Sequence, residues 1–323
     1  MRLLRNVSEL PESSRNAVVA LGNFDGVHRG HQAVIGTARK LAGDAGVGTG
    51  VVTFEPHPRL LFRPDLPPFR LTPWPAKVHA MEALGVDYVL LQTFDRPFAA
   101  LSARQFVDRI LVQGLGVRHA VVGYDFVFGH NREGNADTLS ALSKVLGFGF
   151  TAIPPVMTET GEPCTSTAIR AALQEGRVRD ATRLLGREWV IEGTVEHGEK
   201  RGRQMGFPTA NVTLGETLEP ALGIYAVRVR VGDELVQRPG VAYFGKRPTF
   251  GDYTPLLEVH LFDYDGDLYG QQIRVAIVDF IRPDAPFAGM EALQKQIAED
   301  GEAARRILAQ SNPPGAPSKV LSE

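Results

Sequence analysis

The spacing of apolar residues changes once along this chain, near residue 187, and no single sheet or helical bundle accommodates both patterns. Before that point, short β-branched runs alternate with longer stretches of helical spacing. The runs are "AVVAL" (17–21), "VVTF" (51–54), "YVLL" (88–91) and "HAVVG" (119–123). The stretches are "HQAVIGTARKLAGDAG", "PAKVHAMEALG" and "SARQFVDRILVQGLG", each closed by glycine, which marks them as helices. Strand–helix alternation predicts an α/β region with a parallel sheet over residues 1–186. Ligands of such sheets bind beyond the carboxyl ends of the strands, near a topological switch point.

After that point the pattern has period two. "WVIEGTVEHG", "GIYAVRVRVGDELV", "PGVAYFG", "PLLEVHLFDYDG" and "QIRVAIVDFI" are alternating strands broken at glycine, aspartate and proline. They predict an antiparallel barrel or sandwich over residues 187–310, closed by the amphipathic helix "GMEALQKQIAEDGEAARRILAQ". The Pro- and Ser-rich tail, 311–323, is expected to be disordered.

Composition narrows the function classes. A chain of 323 residues, 43% hydrophobic and 22% charged, is ordinary globular material with room for two domains. A net charge of -2 gives no electrostatic case for a nucleic-acid or anionic-membrane partner. One cysteine, Cys164, excludes an intrachain disulfide framework and a multi-cysteine zinc site, and is either a lone nucleophile or an incidental thiol. No signal-peptide pattern and no run of membrane-spanning length is evident, so a reducing cytoplasm is the expected setting.

Chemistry concentrates in "LGNFDGVHRGH" (21–31), between the first strand and the first helix. Gly22 and Gly26 let backbone approach a ligand, and the new helix offers free amides and a positive dipole end to an anion. His28 and His31 lie around that first turn and can donate to phosphate oxygens. A plain glycine turn with two surface histidines uses the same residues, and a zinc site lacks an evident third ligand. Strand, glycine turn and helix in register favour the phosphate. "GVAYFGKR" (240–247) approaches the P-loop pattern, but Arg247 replaces the metal-binding hydroxyl and no helix follows. "GDAGVGTG" (43–50) precedes a strand, which argues against a dinucleotide fingerprint.

Taken in order, "GNFDGVHRGH", "TFEPHP" (53–58), "VGYDFVFG" (122–129) and "TSTAIR" (165–170) resemble the adenylyltransferase module of the bacterial bifunctional riboflavin kinase/FMN adenylyltransferase family. "GRQMGFPTANV" (202–212), "RPTF" (247–250), "LEVHLFDYDGDLYG" (257–270) and "FIRP" (280–283) resemble its kinase module. The resemblance implies a Rossmann-like nucleotidyltransferase domain followed by a riboflavin kinase barrel. Its substrates would be riboflavin, FMN and ATP, with FAD and pyrophosphate as products and Mg²⁺ as cofactor.

Carried over by position, Gly22, Phe24, Asp25, His28 and His31 would line the ATP site, and Ser166, Thr167 and Arg170 would grip phosphate, with His28, His31 and Arg170 catalytic. Phe54, His57, Pro58, Tyr124, Asp125 and Phe126 would form the flavin pocket. In the kinase module Gly202, Arg203, Gly206, Phe207 and Pro208 would contact ATP or flavin. Thr209 and Asn211 would hold the metal, and Glu258 would be the general base. Without the accompanying motifs, "TSTAIR" reads as an ordinary N-cap and Glu258 as a solvent-facing strand carboxylate. Two positions depart from relatives: Asp125 and Tyr243 stand where asparagine is expected.

Small molecules are the expected partners, and the resemblance implies a monomer or weak homo-oligomer. Both reactions are attacks of oxygen on phosphorus, governed by positioning and charge stabilisation, and neither needs a covalent nucleophile. A flavin-binding sensor or delivery protein is the alternative from another class; it would need pockets but no base beside a metal pair.

Overall fold

In the computed structural model, residues 1–196, 207–249 and 252–311 are described, and the chain divides into two compact units. The first comprises Met1–Pro67 and Pro73–Thr165, and the second comprises Pro68–Thr72 and the chain from Ser166 onward. By compactness, then, the helices between 166 and 185 group with the barrel that follows them.

The first unit is built on a six-stranded sheet. Its strands are β1 (Arg2–Leu4), β2 (Val18–Leu21), β3 (Thr49–Glu55), β4 (Tyr88–Thr93), β5 (His119–Gly123) and β6 (Gly149–Ile153). Every neighbouring pair is parallel and the order is β1-β4-β3-β2-β5-β6. Strands β1 and β6 lie outside the sequence expectation, one being only three residues long and the other opening on glycine.

Burial on both faces explains the continuous apolar runs of the inner strands. Val18, Ala20, Val51, Val89 and Val121 pack with Val34, Ile35 and Ala38 of helix α1 (Arg29–Ala45). Val19, Leu21, Val52, Leu90, Ala120 and Val122 form the opposite core with Phe106, Leu111 and Leu139. These last side chains belong to α5 (Ala103–Phe106), its π-helical continuation Val107–Gly114, and α6 (Ala136–Leu146). Three shorter helices complete the unit: α2 (Pro58–Phe62), α3 (Trp74–Ala83) and α4 (Arg96–Ala99).

The sheet reverses its direction of growth at β2. From there β3 and β4 are added on one side and β5 and β6 on the other. In sheets of this kind ligands bind at such a switch point, here beyond the carboxyl ends of β2 and β5. The segments leaving those two strands are Gly22–His31 and Tyr124–Gly129.

In the second unit, β7 (Trp189–Glu196), β8 (Ala210–Thr213), β9 (Gly223–Val231), β10 (Arg238–Thr249), β11 (Asp252–Leu261) and β12 (Gln272–Pro283) close a barrel in the order β10-β11-β8-β7-β12-β9. All the strand pairs are antiparallel. Helices α7 (Ser166–Gln174) and α8 (Val178–Leu185) precede it. The closing helix α9 (Met290–Gln310) packs Ala304, Ile307 and Leu308 against Ala226, Val241 and Val278. Arg282 of β12 grips Asp300 of α9 with two parallel bonds of 2.8 and 2.7 Å, the fork geometry that makes guanidinium–carboxylate pairs strong.

Pro68–Thr72 joins this unit as an extra short strand. Arg70 bridges Thr217 in parallel, and its carbonyl accepts from Leu218 N at 2.8 Å. The Arg70 guanidinium, itself buried, donates to Glu216 at 3.1 Å. The indole N–H of the fully buried Trp189 donates to the Leu71 carbonyl at 2.8 Å.

Two glycines of the first unit should respond oppositely to alanine. Gly36 lies inside α1 with open space where a Cβ would point, so Gly36→Ala should raise stability by about 0.5–1 kcal/mol. At Gly50 a Cβ would sit 2.2 Å from the ring of Tyr88, its partner across the β3–β4 ladder. Overpacking there should cost about 1–3 kcal/mol or more. Urea titrations of both variants give the two signs.

Candidate active sites

The segment after β2 cannot run straight into α1, because its backbone turns through left-handed conformations at Phe24 (φ 50°), Gly26 (φ 93°) and Val27 (φ 44°). Left-handed φ is strained for Phe and more so for β-branched Val, and strain of this kind persists only where surrounding structure holds it. The Phe24 ring tucks under the turn, 1% exposed, and a Cβ at Gly22 would meet it at 3.1 Å. Phe24 and Asp25 are thus buried supports of the turn's shape.

The turn delivers His28 as the N-cap of α1, its Nδ1 accepting weakly from the His31 backbone N–H at 3.4 Å. The two imidazoles stack at 3.6 Å between centroids, and Phe24 meets His31 edge-on at 5.2 Å. An accepting Nδ1 leaves the proton of a neutral His28 on Nε2. Two rings able to donate, fixed at a helix N-terminus, have the chemistry that suits phosphate oxygens.

Beyond β5, Tyr124 and Asp125 are exposed and Phe126 stacks on Phe128 at 5.6 Å. Phe54 belongs instead to an aromatic core, 6.0 Å from Phe94 and 5.9 Å from Phe98. His57 is buried and caps α2, its Nδ1 accepting from Arg59 N at 3.2 Å, with Pro58 at the first helical position. Cys164 is also buried, and burial raises its thiol pKa, which makes it a poor nucleophile.

Ser166, Thr167 and Arg170 lie on α7 of the second unit. Thr167 is exposed, and Arg170 Nε donates to the Phe69 carbonyl at 2.8 Å while its guanidinium lies 5.5 Å from the Phe69 ring.

In the barrel, strand register assembles a second constellation. Glu258 pairs with Asn211 of β8 on one side and Tyr243 of β10 on the other, and Asn211 pairs with Glu196 of β7. Cross-strand partners share a face with Cβ atoms about 5 Å apart, so amide, carboxylate and phenol form one row. The alternate residues Leu257, Val259 and Leu261 are buried at 0%, 1% and 5% exposure, which fixes the side on which Glu258 stands. Asn211 is buried and Thr209 half-buried just before β8. His260 Nδ1 donates to the Pro208 carbonyl at 2.8 Å and its ring meets Phe207 edge-on at 5.8 Å, pinning the "FPTAN" segment to β11. Gly202, Arg203 and Gly206 lie outside the described residues.

Tyr243 has a defined place. Its ring lies over Gly245, where a Cβ would be 2.2 Å from the phenol oxygen, and its hydroxyl donates to Asp284 at 3.0 Å. Burial, then that carboxylate, pushes its pKa up to about 12, so it is a neutral donor near physiological pH.

Sequence reasoning passed over one group. Lys77 of α3, 1% exposed, donates to Glu55 at 2.9 Å and to the fully buried Thr53 at 3.2 Å. A signal existed: Lys77 stands four residues before Met81 on an otherwise apolar helical stripe.

The FAD synthetase family model matches residues 10–168 and the riboflavin kinase model residues 185–308. Bifunctional riboflavin kinase/FMN adenylyltransferases are similar over nearly the whole chain. That of Pseudomonas fluorescens is 43% identical, covering 96% of this chain and 99% of its own. That of Escherichia coli K12 is 40% identical (97% and 100%), and that of Bacillus subtilis 39% (93% and 95%). A crystal structure described as a macrolide-efflux protein from Streptococcus pneumoniae superposes with a TM-score of 0.83 at 31% identity, covering 94% of this chain and 98% of its own. Matched end to end, with both modules in order, the chain belongs to the bifunctional riboflavin kinase/FMN adenylyltransferase family.

Proposed function

We propose that this chain phosphorylates riboflavin to FMN and then adenylylates FMN to FAD, using ATP in both steps. The adenylyltransferase is assigned to residues 1–186 and the kinase to 187–310. The observation that carries the reading is the stacked His28/His31 pair at the N-terminus of α1, on a chain that also sets Glu258 opposite Asn211.

In the kinase reaction the ribityl hydroxyl of riboflavin attacks the γ-phosphorus of ATP. A new P–O bond forms, the bond to the bridging oxygen breaks, and ADP leaves. Glu258 takes the hydroxyl proton. Thr209 and Asn211 supply a hydroxyl and an amide carbonyl, hard oxygen donors that suit Mg²⁺. When bound, Mg²⁺ neutralises charge on the transferring phosphate.

In the adenylyl transfer an FMN phosphate oxygen attacks the α-phosphorus of ATP and pyrophosphate leaves. That oxygen is ionised near neutral pH, so no general base is required. His28, His31 and the amides of α1 stabilise the charge that develops on the phosphates. Ser166, Thr167 and Arg170 are assigned to phosphate binding, and Phe54, His57, Pro58, Tyr124, Asp125 and Phe126 to flavin, of which Tyr124 and Asp125 are exposed. Asp125, when ionised, accepts only, so its bond goes to a flavin donor or a water.

Among the described residues no helix is long and apolar enough to cross a membrane. We assign the enzyme to the cytoplasm, where its ATP is, as a monomer or weak homo-oligomer.

Two substitutions separate the chemistries. His31→Ala should cut FAD formation from FMN by about 10²-fold or more while leaving riboflavin phosphorylation unchanged. Glu258→Gln should abolish FMN formation yet keep FAD formation from supplied FMN. Flavin fluorescence follows both reactions, because FAD quenches itself and FMN does not. If Glu258→Gln lost both activities while folded, the two-site assignment would fail.

The metal gives a further expectation. Neutral protein ligands do not strip water from Mg²⁺ unaided, so Mg²⁺ should bind the full chain weakly alone and tightly with ADP. Calorimetric titration with and without ADP checks this, and tight binding of Mg²⁺ alone would contradict it.

A further inference from the structure

The strained turn before α1 is held by two side-chain donors, one on each flanking carbonyl. Gln32 Nε2 donates to the Val27 carbonyl at 2.8 Å. Thr53 Oγ1, from the neighbouring strand β3, donates to the Asn23 carbonyl at 3.0 Å. Behind Thr53 stands Lys77, whose ammonium has only donors, so the direction of the chain is forced. Lys77 donates to the Thr53 hydroxyl, and that hydroxyl spends its one proton on Asn23.

Glu55 pairs with the ammonium at 2.9 Å in a site with 1% exposure. Thr53 is fully buried, so no water replaces its bond to Asn23. A charged donor polarises the hydroxyl behind which it sits and strengthens the next bond in the series. The left-handed residues Phe24 and Val27 lie directly between the two held carbonyls. They lead into His28 and His31, whose placement at the helix N-terminus the turn determines.

We infer that Thr53 and Lys77 are positioning residues for adenylyl transfer: Lys77→Thr53→Asn23 clamps the strained turn in the shape that presents His28 and His31. The inference rests on assigning that turn to adenylyl transfer. A Lys–Glu pair that only ties α3 to β3 would use the same distances, so the test must separate holding the fold from aiming the histidines.

Thr53→Val keeps the shape and removes the hydroxyl; Thr53→Ser keeps the hydroxyl. In the full chain, Thr53→Val should lower kcat for FAD formation from FMN about 10- to 100-fold, the scale of a small misplacement of reacting groups. The kcat for riboflavin phosphorylation, an internal standard in the same molecule, should stay within about two-fold of the unmodified chain. Thr53→Ser should restore most of the loss. Because Thr53 acts through the histidines, adding Thr53→Val to His31→Ala should slow FAD formation by less than Thr53→Val does alone, since only His28 is left to misplace. Normal adenylyl transfer by Thr53→Val, no rescue by Thr53→Ser, or a full additional loss in the double variant would each overturn the inference. Should Thr53→Val unfold, Lys77→Met, assayed below its measured melting temperature with riboflavin phosphorylation as the internal standard, carries the same comparison: it should lower kcat for FAD formation alone. Normal FAD formation by His31→Ala would sink the assignment of the turn itself, a result separate from any of these.

Discussion

Between Asn23 and His28 the backbone must leave a buried strand, reverse, and enter a helix within a few residues, and it does so through φ angles that Phe and Val disfavour. That strain is the constraint around which the first unit is arranged. It explains why Phe24 lies beneath its own turn, why Gly22 carries no side chain there, and why buried polar side chains from β3 and α3 converge below it. A relaxed glycine loop would be easier to fold. It would also leave the two imidazoles free to rotate away from each other, and catalysis by fixed donors depends on their not having to reorganise.

The barrel meets a comparable demand differently. No left-handed non-glycine residue contributes to the row of Asn211, Glu258 and Tyr243; the ladder alone aligns it. A one-residue slip of β11 would move Glu258 to the side now filled by Leu257 and Val259, so the core packing that fixes register also fixes this row. The histidine two residues on, holding the Pro208 carbonyl, extends that alignment to a segment with no regular structure of its own. Tyr243 is a third anchor, since its hydroxyl ties β10 to Asp284 ahead of α9.

Legibility followed periodicity. The inner strands and α1 were readable because burial on two faces, or on one helical stripe, leaves a pattern in consecutive residues. The face on which Glu258 stands was readable from the alternation of Leu257, Val259 and Leu261, whereas its role came from the resemblance alone. The edge strand Arg2–Leu4 and the Gly-initiated strand Gly149–Ile153 carry too few patterned residues, and the π-helical stretch Val107–Gly114 has the spacing of an ordinary helix. At the candidate site the strand–turn–helix setting of His28 and His31 was legible, whereas the burial of Phe24 and Asp25 depends on backbone angles that no local spacing encodes. Lys77 and Thr53 meet across 24 residues of chain, and Trp189 and Leu71 across 118, pairings decided by tertiary packing alone.

The five residues Pro68–Thr72 bear on how such a protein can be inherited in pieces. A barrel moved alone, cut at one junction near residue 187, would carry a buried Trp189 without its acceptor. An orphaned buried N–H costs about 1–3 kcal/mol, and the buried Arg70 with its Glu216 partner would be lost with it. A lineage that traded kinase barrels between chains would therefore have to carry a short loop from the other module along, or evolve a substitute for it. The barrel is a unit of packing without being a unit of contiguous gene.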